Sequence, residues 1–267
     1  MTDITVAVNG VLGRMGSTVL NAVEQEPGMV PVGGADALAG GEKSVSTLGG
    51  MDLPLASNLD ILFGKVTPDV VVDFTNAEGG SAAMRACVAH KVRCVSGSTG
   101  MTPEELSAIG DLATEANVGV ISASNFALGC VVLIHLARIA SSYFDYADVI
   151  ESHHEMKIDA PSGTAISIVQ AMLEGKGGDF DQNIVEKELL SGTRGGSSGG
   201  INVHSARMPG RVARHEVVFG ALGQTLTLLH DSISRDSFMP GVMLAVRRVM
   251  DEKSMIVGLD KVLGFSD

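Results

Sequence analysis

The sequence predicts an α/β protein with two domains, a doubly wound parallel sheet and a second α+β domain built on an open mixed sheet. Short β-branched runs alternate with longer helical patterns from Thr5 to about Phe126, which is typical of βαβ units. After Asn125 the runs are strand-rich and alternate in character, which is typical of an open sheet. A final apolar segment, 237–250, has helical periodicity and is expected to pack on the first domain.

The first half presents its elements in a regular order. The strand TVAV is followed by a helix around Thr18 to Glu26 and by the strand run MVPVGGAD. A later helix begins after Thr102, because Pro103 fits a first turn and Glu105 completes a capping box. The remaining strand runs are VVVDF at 70–74, RCVSG at 93–97 and VGVISAS at 118–124.

The second half has a different pattern. A long apolar helix is predicted at about Ala127 to Ala140, then the strand ADVIESHH, then a helix that begins near Ser162. The segment Thr193 to Gly200 is expected to be a mobile glycine-serine loop. Three further runs alternate as strands do: INVHSAR, HEVVFG and QTLTLLH. We therefore expect one domain at 1–126 with 236–267 and another at 127–235.

Composition excludes several classes of protein. The chain has 267 residues, 45% of them hydrophobic, which is enough for a sizeable core in one or two domains. Its 19 basic and 31 acidic side chains give a net charge of -12, so a diffuse nucleic-acid surface is not expected. The three cysteines lack the spacing of a disulfide framework or a zinc ribbon.

Targeting signals are also missing from the sequence pattern. The N-terminus has no basic signal region, and the most apolar run, Phe126 to Leu136, is too short for a bilayer span. We expect a cytoplasmic protein that binds neither nucleic acid nor membrane.

Three glycines, Gly10, Gly13 and Gly16, follow the strand TVAVNG at the start of a helix. Such glycines let the chain turn tightly near a pyrophosphate, and the helix-start amides face the phosphates. Asp36 stands about 20 residues further on, where a carboxylate accepts hydrogen bonds from the adenosine ribose. The combination predicts a Rossmann-like dinucleotide site. Alone, the glycines are also typical of an ordinary turn, and Asp36 of an unliganded surface residue.

The surroundings of Asp36 bear on the choice of coenzyme. A 2′-phosphate prefers a basic neighbour, but the three residues after Asp36 are uncharged, so NADH is favoured over NADPH. Arg14 and Lys43 are the nearest candidates for a phosphate clamp, so use of both coenzymes stays open. The rest of the cofactor is expected at the carboxyl ends of later strands, at Phe74 and Thr75, Gly97 to Thr99, and Ala123 to Phe126.

The stretch ESHHEMKIDAPSGTA, Glu151 to Ala165, concentrates the candidate chemistry. If a nicotinamide supplies hydride, a proton donor is still needed, and His153 or Lys157 can fill that role. His153 and His154 are adjacent, so on a strand they point to opposite faces. Because the run also lacks HExxH spacing, no metal site is predicted. Either histidine alone is also typical of a ring that bonds backbone at a strand end.

The second part of this stretch suits an anion. Pro161 disfavours helix before it, so the amides of Ser162 to Thr164 can stand free at the start of the next helix. Free amides bind a carboxylate, and Lys157 adds a point charge, although a single lysine is also typical of a solvated surface. Glu151 and Glu155 are expected to be solvated.

Six motifs, in chain order, resemble those of the dihydrodipicolinate reductase family: VAVNGVLGRMG, VVVDFTN, SGSTGM, ASNF, ESHHEMKIDAPSGTA and SISRDSFMPGV. The resemblance spans nearly the whole chain, and the HHEMKIDAPSGTA run is its most specific part. It implies reduction of a small cyclic dicarboxylate, 4-hydroxy-tetrahydrodipicolinate, to tetrahydrodipicolinate by NADH or NADPH. This reaction belongs to the diaminopimelate route to lysine. The family also implies a homotetramer formed through the sheet of the second domain.

The resemblance implies roles by position. His153 donates or accepts the proton, with Lys157 as its companion acid. The substrate-binding positions are His154, Lys157, Ser162, Gly163, Thr164 and Arg235. The cofactor-binding positions are Gly10, Val11, Leu12, Gly13, Arg14, Met15, Asp36, Gly97, Ser98, Thr99, Ala123, Ser124, Asn125 and Phe126.

Three features depart from the family pattern. Gln224 and the turn Met208 to Arg211 concern subunit packing and loop shape, whereas Ala37 concerns the coenzyme. Two other functions stay open at this point, because one fold hosts many reactions. One is another two-domain Rossmann oxidoreductase acting on a sugar or polyol, and the other is a non-catalytic NADH-sensing protein.

Overall fold

The computed structural model describes residues 3–41 and 44–265, and the chain divides into two compact units. The first unit consists of Met1–Ala127 with Arg235–Asp267, and the second of Leu128–Ser234. These limits differ by one residue from the boundaries expected at 126/127 and 235/236. Within the described ranges, no helix has the length and apolar character needed to cross a membrane.

The first unit is built on an eight-stranded sheet. In chain order its strands are β1 (Ile4–Asn9), β2 (Met29–Ala35), β3 (Ser44–Ser46), β4 (Asp52–Ala56), β5 (Val70–Asp73), β6 (Arg93–Ser96), β7 (Val120–Ser122) and β13 (Met255–Val257). Their order across the sheet is β13-β7-β6-β5-β1-β2-β4-β3. Among the described strands of this first sheet, only β3 runs antiparallel to its neighbour. The chain moves outward from β1 in one direction and from β5 in the other, which confirms the doubly wound parallel sheet.

Helices flank this sheet, and the C-terminal segment returns to it. The helices of the first unit are α1 (Arg14–Gln25), α2 (Leu59–Phe63), α3 (Ala77–Ala89), α4 (Pro103–Ala116), a 3₁₀ helix (Arg235–Phe238), α7 (Met239–Val249) and α8 (Leu259–Val262). The predicted capping box at Thr102 and Glu105 is confirmed at the start of α4. Helix α7 packs on α1, β6 and β7, as its apolar periodicity predicts.

The second unit is a five-stranded mixed sheet covered by two helices. Its strands are β8 (Tyr146–His153), β9 (Gly196–Ser198), β10 (Ile201–Arg207), β11 (Ala213–Ala221) and β12 (Gln224–Ser232), and its helices are α5 (Leu128–Ser141) and α6 (Gly163–Lys176). The order is β12-β11-β8-β10-β9, with β8 and β10 parallel and the other pairs antiparallel. The predicted open mixed sheet is confirmed.

The expectation of a mobile loop over Thr193 to Gly200 was wrong for three of its residues. Gly196–Ser198 forms β9, which pairs antiparallel with β10. The turn between the two strands is made by Gly199 and Gly200, whose φ angles are +57° and +79°. Because glycine adopts positive φ readily, two glycines close this hairpin, and the composition that resembles a flexible linker is here turn chemistry.

One face of the second sheet is apolar at one end and polar at the other. Val149, Val217 and Phe219 lie in the core with α5 and α6. Further along the same face, the strand register places Glu151 beside His215 and His215 beside His230. Side chains directly opposed on neighbouring strands share a face, so this row continues the core layer with ionisable groups.

Candidate functional site

The first glycine turn requires glycine on steric grounds. Gly10 has φ of +77°, and a Cβ there would lie 2.7 Å from the carbonyl oxygen of Phe74. A Cβ on Gly16 would lie 2.0 Å from the carbonyl oxygen of Gly10. Gly13 is the N-cap of α1 and provides no side-chain cap. The first amides of α1 are therefore left for an anion, as in a dinucleotide cradle.

Asp36 is tied to this turn rather than solvated. It is 9% exposed and follows β2 directly. Its carboxylate accepts hydrogen bonds from the amides of Leu12 at 3.0 Å and Leu38 at 2.9 Å. Asp36 therefore stands at the end of β2 beside the glycine turn. Rossmann folds carry at this position the acidic side chain that hydrogen-bonds to a ribose hydroxyl.

A cavity of about 460 Å³ lies along this edge of the sheet. The glycine turn, Asp36 and the segment after β5 line it, and none of the described residues around it is basic. Arg14, a predicted clamp, has an exposed side chain at the start of α1, and Lys43 lies outside the described residues.

Asp73, which sequence analysis does not single out, organises the same edge. It is fully buried at the end of β5. Its carboxylate accepts hydrogen bonds from Asn9 at 2.8 Å, Thr75 at 2.8 Å, Ser96 at 2.8 Å and Ser98 at 2.7 Å. These donors follow or end three adjacent strands, so one carboxylate fixes three strand ends. The signal in the sequence was an acid closing the apolar run VVVDF.

The other predicted cofactor segments lie in the same unit. A Cβ on Gly97 would lie 2.2 Å from a ring carbon of Phe74. The Phe74 ring in turn lies 5.8 Å, centroid to centroid, from Phe126. The amide of Ala123 donates to the carbonyl of Ser96 at 3.0 Å, which joins the ends of β6 and β7. All fourteen predicted cofactor residues belong to the first unit.

In the second unit, His153 ends β8 as a buried side chain whose Nδ1 bonds to Glu151. Glu151 is itself fully buried, so the expectation that it is solvated was wrong, whereas Glu155 is exposed. Arg207 explains this burial, because its two terminal nitrogens donate to the two Glu151 oxygens at 3.0 and 2.9 Å. Sequence analysis missed Arg207, which stands in the strand run INVHSAR without any local acid.

Burial and hydrogen bonding shift the pKa values of His153 and Glu151 in this network. Burial lowers the pKa of His153, while the hydrogen bond to Glu151 acts in the opposite direction, and the net pKa lies below its usual value. Burial acts to raise the pKa of Glu151, but hydrogen bonds from Arg207 and others outweigh it, so that pKa is lowered. Since the Glu151 carboxylate accepts from Nδ1, that nitrogen carries a proton, and Nε2 is the nitrogen that can exchange a proton with a ligand.

The turn after β8 carries the two other predicted polar residues. His154 follows the last residue of β8 and is exposed, whereas His153 is buried. The amide of Lys157 donates to the carbonyl of His154 at 3.2 Å, and its ammonium lies 2.8 Å from Asp159. Arg207 also donates to the carbonyl of Asp159 at 2.6 Å, so the arginine links this turn to Glu151.

Ser162 caps α6 and is held by a histidine. Its hydroxyl accepts from the amide of Ala165 at 3.1 Å and lies 3.2 Å from Nε2 of His215. Because the hydroxyl satisfies the third amide of the helix, the amides of Gly163 and Thr164 stay without an intrahelical acceptor. Burial lowers the pKa of His215 to about 4, and its ring lies 5.2 Å from that of His153.

Arg235, the sixth predicted substrate residue, belongs to a different unit from the other five. It is an exposed residue at the start of the 3₁₀ helix, and it belongs to the first unit. The other five predicted substrate residues and His153 belong to the second unit.

Comparison with known proteins points to one family. Residues 4–126 match the family model described as dihydrodipicolinate reductase, N-terminus, and residues 129–263 match that of the C-terminus. A 4-hydroxy-tetrahydrodipicolinate reductase of Dehalococcoides mccartyi (strain BAV1) is 45% identical over 263 residues, covering 98% of this chain and 99% of the relative. The enzyme of that name from Nostoc punctiforme is 41% identical over 273 residues, covering 97% and 98%.

A solved structure agrees with these relatives. The dipicolinate-bound dihydrodipicolinate reductase of Paenisporosarcina sp. TG-14 superposes with a TM-score of 0.87 at 36% identity, covering 97% of this chain and 99% of that one. Both halves of the chain, and not only the glycine turn, are therefore similar to these proteins.

Proposed function

The chain belongs to the dihydrodipicolinate reductase family, and from this premise we propose which of its residues bind the two ligands and move the proton. It is an NAD(P)H-dependent oxidoreductase that reduces 4-hydroxy-tetrahydrodipicolinate on the route to lysine. The resemblance drawn from the sequence motifs is confirmed. The sugar or polyol oxidoreductase and the non-catalytic sensor give way to this activity.

The first unit is proposed to bind the nicotinamide dinucleotide. The glycine positions fit a pyrophosphate, because a Cβ at Gly10 or Gly16 would collide with backbone and the start of α1 has no side-chain cap. Asp36 is proposed to accept hydrogen bonds from the hydroxyls of the adenosine ribose, and its carboxylate already accepts from two amides beside the glycine turn. The segments Gly97 to Thr99 and Ala123 to Phe126 are proposed to hold the nicotinamide half.

NADH is the proposed coenzyme. A 2′-phosphate would meet the Asp36 carboxylate at a cavity where no described lining residue is basic. Such a phosphate carries charge of the same sign as Asp36, so its binding is opposed unless a cation intervenes. Arg14 follows the glycine turn and is a candidate for that cation, and its side chain is exposed at the start of α1.

The second unit is proposed to bind the dicarboxylate. The solved relative carries dipicolinate, a ring with two carboxylates. Two carboxylates need two anchors, and here the uncapped amides of Gly163 and Thr164 supply one while Lys157 supplies charge for another. Ser162 is 2% exposed and bonded within the fold, so we assign it the role of holding α6 in place. His154 and Arg235 stay candidates for further substrate contacts.

The buried pair of His153 and Glu151 carries the catalytic proposal. Loss of the 4-hydroxyl group as water converts the substrate to a conjugated imine, and the reduced nicotinamide, when bound, would supply hydride to that ring. Charge then moves toward the ring nitrogen, and the neighbouring carbon must gain a proton. His153 is proposed to deliver that proton from Nε2, while Glu151 keeps Nδ1 protonated and favours the imidazolium form.

A second group can supply the proton. Lys157 carries exchangeable protons on the turn that follows β8, and its ammonium lies 2.8 Å from Asp159, where its hydrogen bond lowers the pKa of that carboxyl. If His153 delivers the proton, its substitution should remove turnover and leave substrate binding intact. If Lys157 delivers it, substitution of Lys157 should have that effect.

The activity itself is tested with a coupled assay. A synthase product is offered with NADH or NADPH, and the absorbance of the reduced nicotinamide is followed. We expect turnover with both and a higher kcat/KM with NADH. No oxidation of either coenzyme in the presence of this substrate would contradict the function, and a higher kcat/KM with NADPH would contradict the coenzyme proposal.

Assembly is proposed to use the face of the second sheet turned away from α5 and α6. Ile150 and Leu229, which alternate with core residues on β8 and β12, are 40% and 54% exposed there. Apolar side chains on an open sheet face suit a second copy of the chain, and the resemblance to the family implies a homotetramer formed through this sheet. Light scattering should give a tetramer for the native chain and a smaller species for Leu229→Lys, and a monomeric native chain would remove the proposal.

A cytoplasmic location is proposed from the cysteines. All three are buried, and within the described residues none of them takes part in a disulfide, which fits a reducing compartment.

A further inference from the structure

A cluster of possible metal ligands lies in the second unit, and none of its three members is assigned a role in the reaction. Cys130, His215 and His230 each offer one ligand atom, and the three atoms lie within 4.8 Å of one another. His215 and His230 are directly paired on β11 and β12, so their rings leave the sheet on one face. Cys130 comes from the first turn of α5, the helix that packs on those two strands.

The two imidazoles have unused nitrogens that point to a ligand. Within the described part of the chain, Nδ1 of His215 and Nδ1 of His230 are buried without a hydrogen-bond partner. His215 is only 3% exposed, so water at the surface does not reach this nitrogen. Buried polar atoms are nearly always satisfied, and two orphans in one cluster call for a group that is bound there.

The other ring nitrogen of His215, Nε2, already has a hydrogen-bond partner. Its Nε2 lies 3.2 Å from the hydroxyl of Ser162. Metal-binding histidines commonly use one ring nitrogen for the ion and the other for a hydrogen bond that fixes the ring. The pairing with Ser162 therefore leaves Nδ1 as the nitrogen that is available to an ion.

We propose that Cys130, His215 and His230 form a binding site for a thiophilic divalent cation of the zinc class. Zinc binds thiolate at about 2.3 Å and imidazole at about 2.0–2.1 Å, so the ligand atoms of one thiolate and two imidazoles stand about 3.3–3.6 Å apart around a tetrahedral ion. From separations of up to 4.8 Å, the side chains need to close by no more than about 1.5 Å. Three protein ligands leave a fourth position for water or another small ligand. This site goes beyond the reductase activity and does not depend on it.

Gly129 offers a way to disturb the site without removing a ligand. A Cβ on Gly129 would lie 2.6 Å from Cδ2 and 3.0 Å from Nε2 of His230. Gly129→Ala therefore pushes the imidazole away from its present position. An alanine inside a helix is otherwise favourable, so the helix itself should be kept.

The test uses the full-length protein, stripped with a chelator and titrated with Co²⁺. We expect one equivalent to give the thiolate-to-cobalt charge-transfer band and the intense visible bands of a tetrahedral site, and Zn²⁺ to abolish both. Cys130→Ser should lose the charge-transfer band, and His230→Gln should weaken affinity by more than the roughly 10- to 100-fold that outer-shell changes cost. His90→Gln, a histidine of the first unit bonded to Asp60, is the matched control and should bind as the native protein does.

Several outcomes would overturn the proposal. Native protein that shows no thiolate band at equimolar Co²⁺ excludes the site, and so does a band that survives in both Cys130→Ser and His230→Gln. If His230→Gln does not fold, judged by circular dichroism, Gly129→Ala takes its place, and native affinity in that variant counts against the site. NADH oxidation is measured in parallel, so loss of metal binding and loss of reductase activity are told apart.

Discussion

The two units build their sites in different ways. The nucleotide cradle is made of backbone: two glycines that exclude a Cβ, helix-start amides and strand ends joined by Asp73. The network around His153 is made of side chains from distant segments, such as Glu151 with Arg207, 56 residues apart, and Ser162 with His215, 53 residues apart. A backbone site follows from local spacing, whereas a side-chain network requires the strand register as well.

The difference predicts how the two regions respond to substitution. Changes in the cradle should act on coenzyme affinity, since the backbone amides and Asp36 are proposed to bind a part of the coenzyme that takes no part in the reaction. Changes at His153 should act on turnover, because a proton is moved only in the transition state.

The largest expected effect tests the network. His153→Gln removes the proton carrier, so kcat should fall by roughly 100- to 10,000-fold. Dipicolinate affinity, measured by calorimetry, should change little. The control is His90→Gln, whose kcat should match the native value, and an unchanged kcat in His153→Gln would transfer the proton role to Lys157.

The next effect tests the cradle. Asp36→Ser removes a carboxylate that would accept charge-assisted hydrogen bonds from the ribose, each worth about 1.5–3 kcal/mol, or roughly 10- to 100-fold in affinity. We expect KM for NADH to rise by that factor, kcat to stay near native, and the preference to move toward NADPH. A fall in kcat with an unchanged KM would show that the cradle and the network are not separable in this way.

A smaller effect is expected on stability. Gly16→Ala places a methyl group 2.0 Å from the carbonyl of Gly10, and overpacking of this kind costs about 1–3 kcal/mol. The melting temperature should fall and NADH affinity should weaken. Gly178→Ala, where a Cβ would meet nothing within 4 Å, is the matched control and should be close to neutral. Equal behaviour of the two variants would mean that the turn tolerates a side chain.

The finest test uses the pH dependence of kcat. If the His153 imidazolium donates the proton, activity falls as pH rises through its pKa, which lies below the usual value. Glu151 acts to raise that pKa and Arg207 to lower it. Glu151→Gln should therefore move the fall in activity to lower pH, and Arg207→Gln should move it to higher pH.

Each of these two variants breaks the ion pair between buried Glu151 and Arg207, so folding is checked first by circular dichroism. Shifts of the same sign in both would contradict the electrostatic account. Profiles that do not move at all would assign the titration to another group.

The same contrast explains what the sequence could and could not predict. The doubly wound sheet, the capping box at Thr102 and the closeness of Asp36 to the glycine turn follow from spacing within short segments. The burial of Glu151 does not, because its stabilising partner Arg207 is brought beside it only by the parallel pairing of β8 and β10. Asp73 was missed for a similar reason, since its donors come from three strands.

Asp73 has a consequence for the energetics of ligand capture. A carboxylate that already receives four hydrogen bonds holds its surrounding segments in one arrangement before any nucleotide arrives. Ordering of these segments is then completed during folding, and association has less conformational entropy to lose. Because its oxygens already accept four hydrogen bonds, Asp73 has little capacity left to accept one from a nucleotide. We therefore expect it to affect nucleotide affinity only by holding the neighbouring strand ends in position.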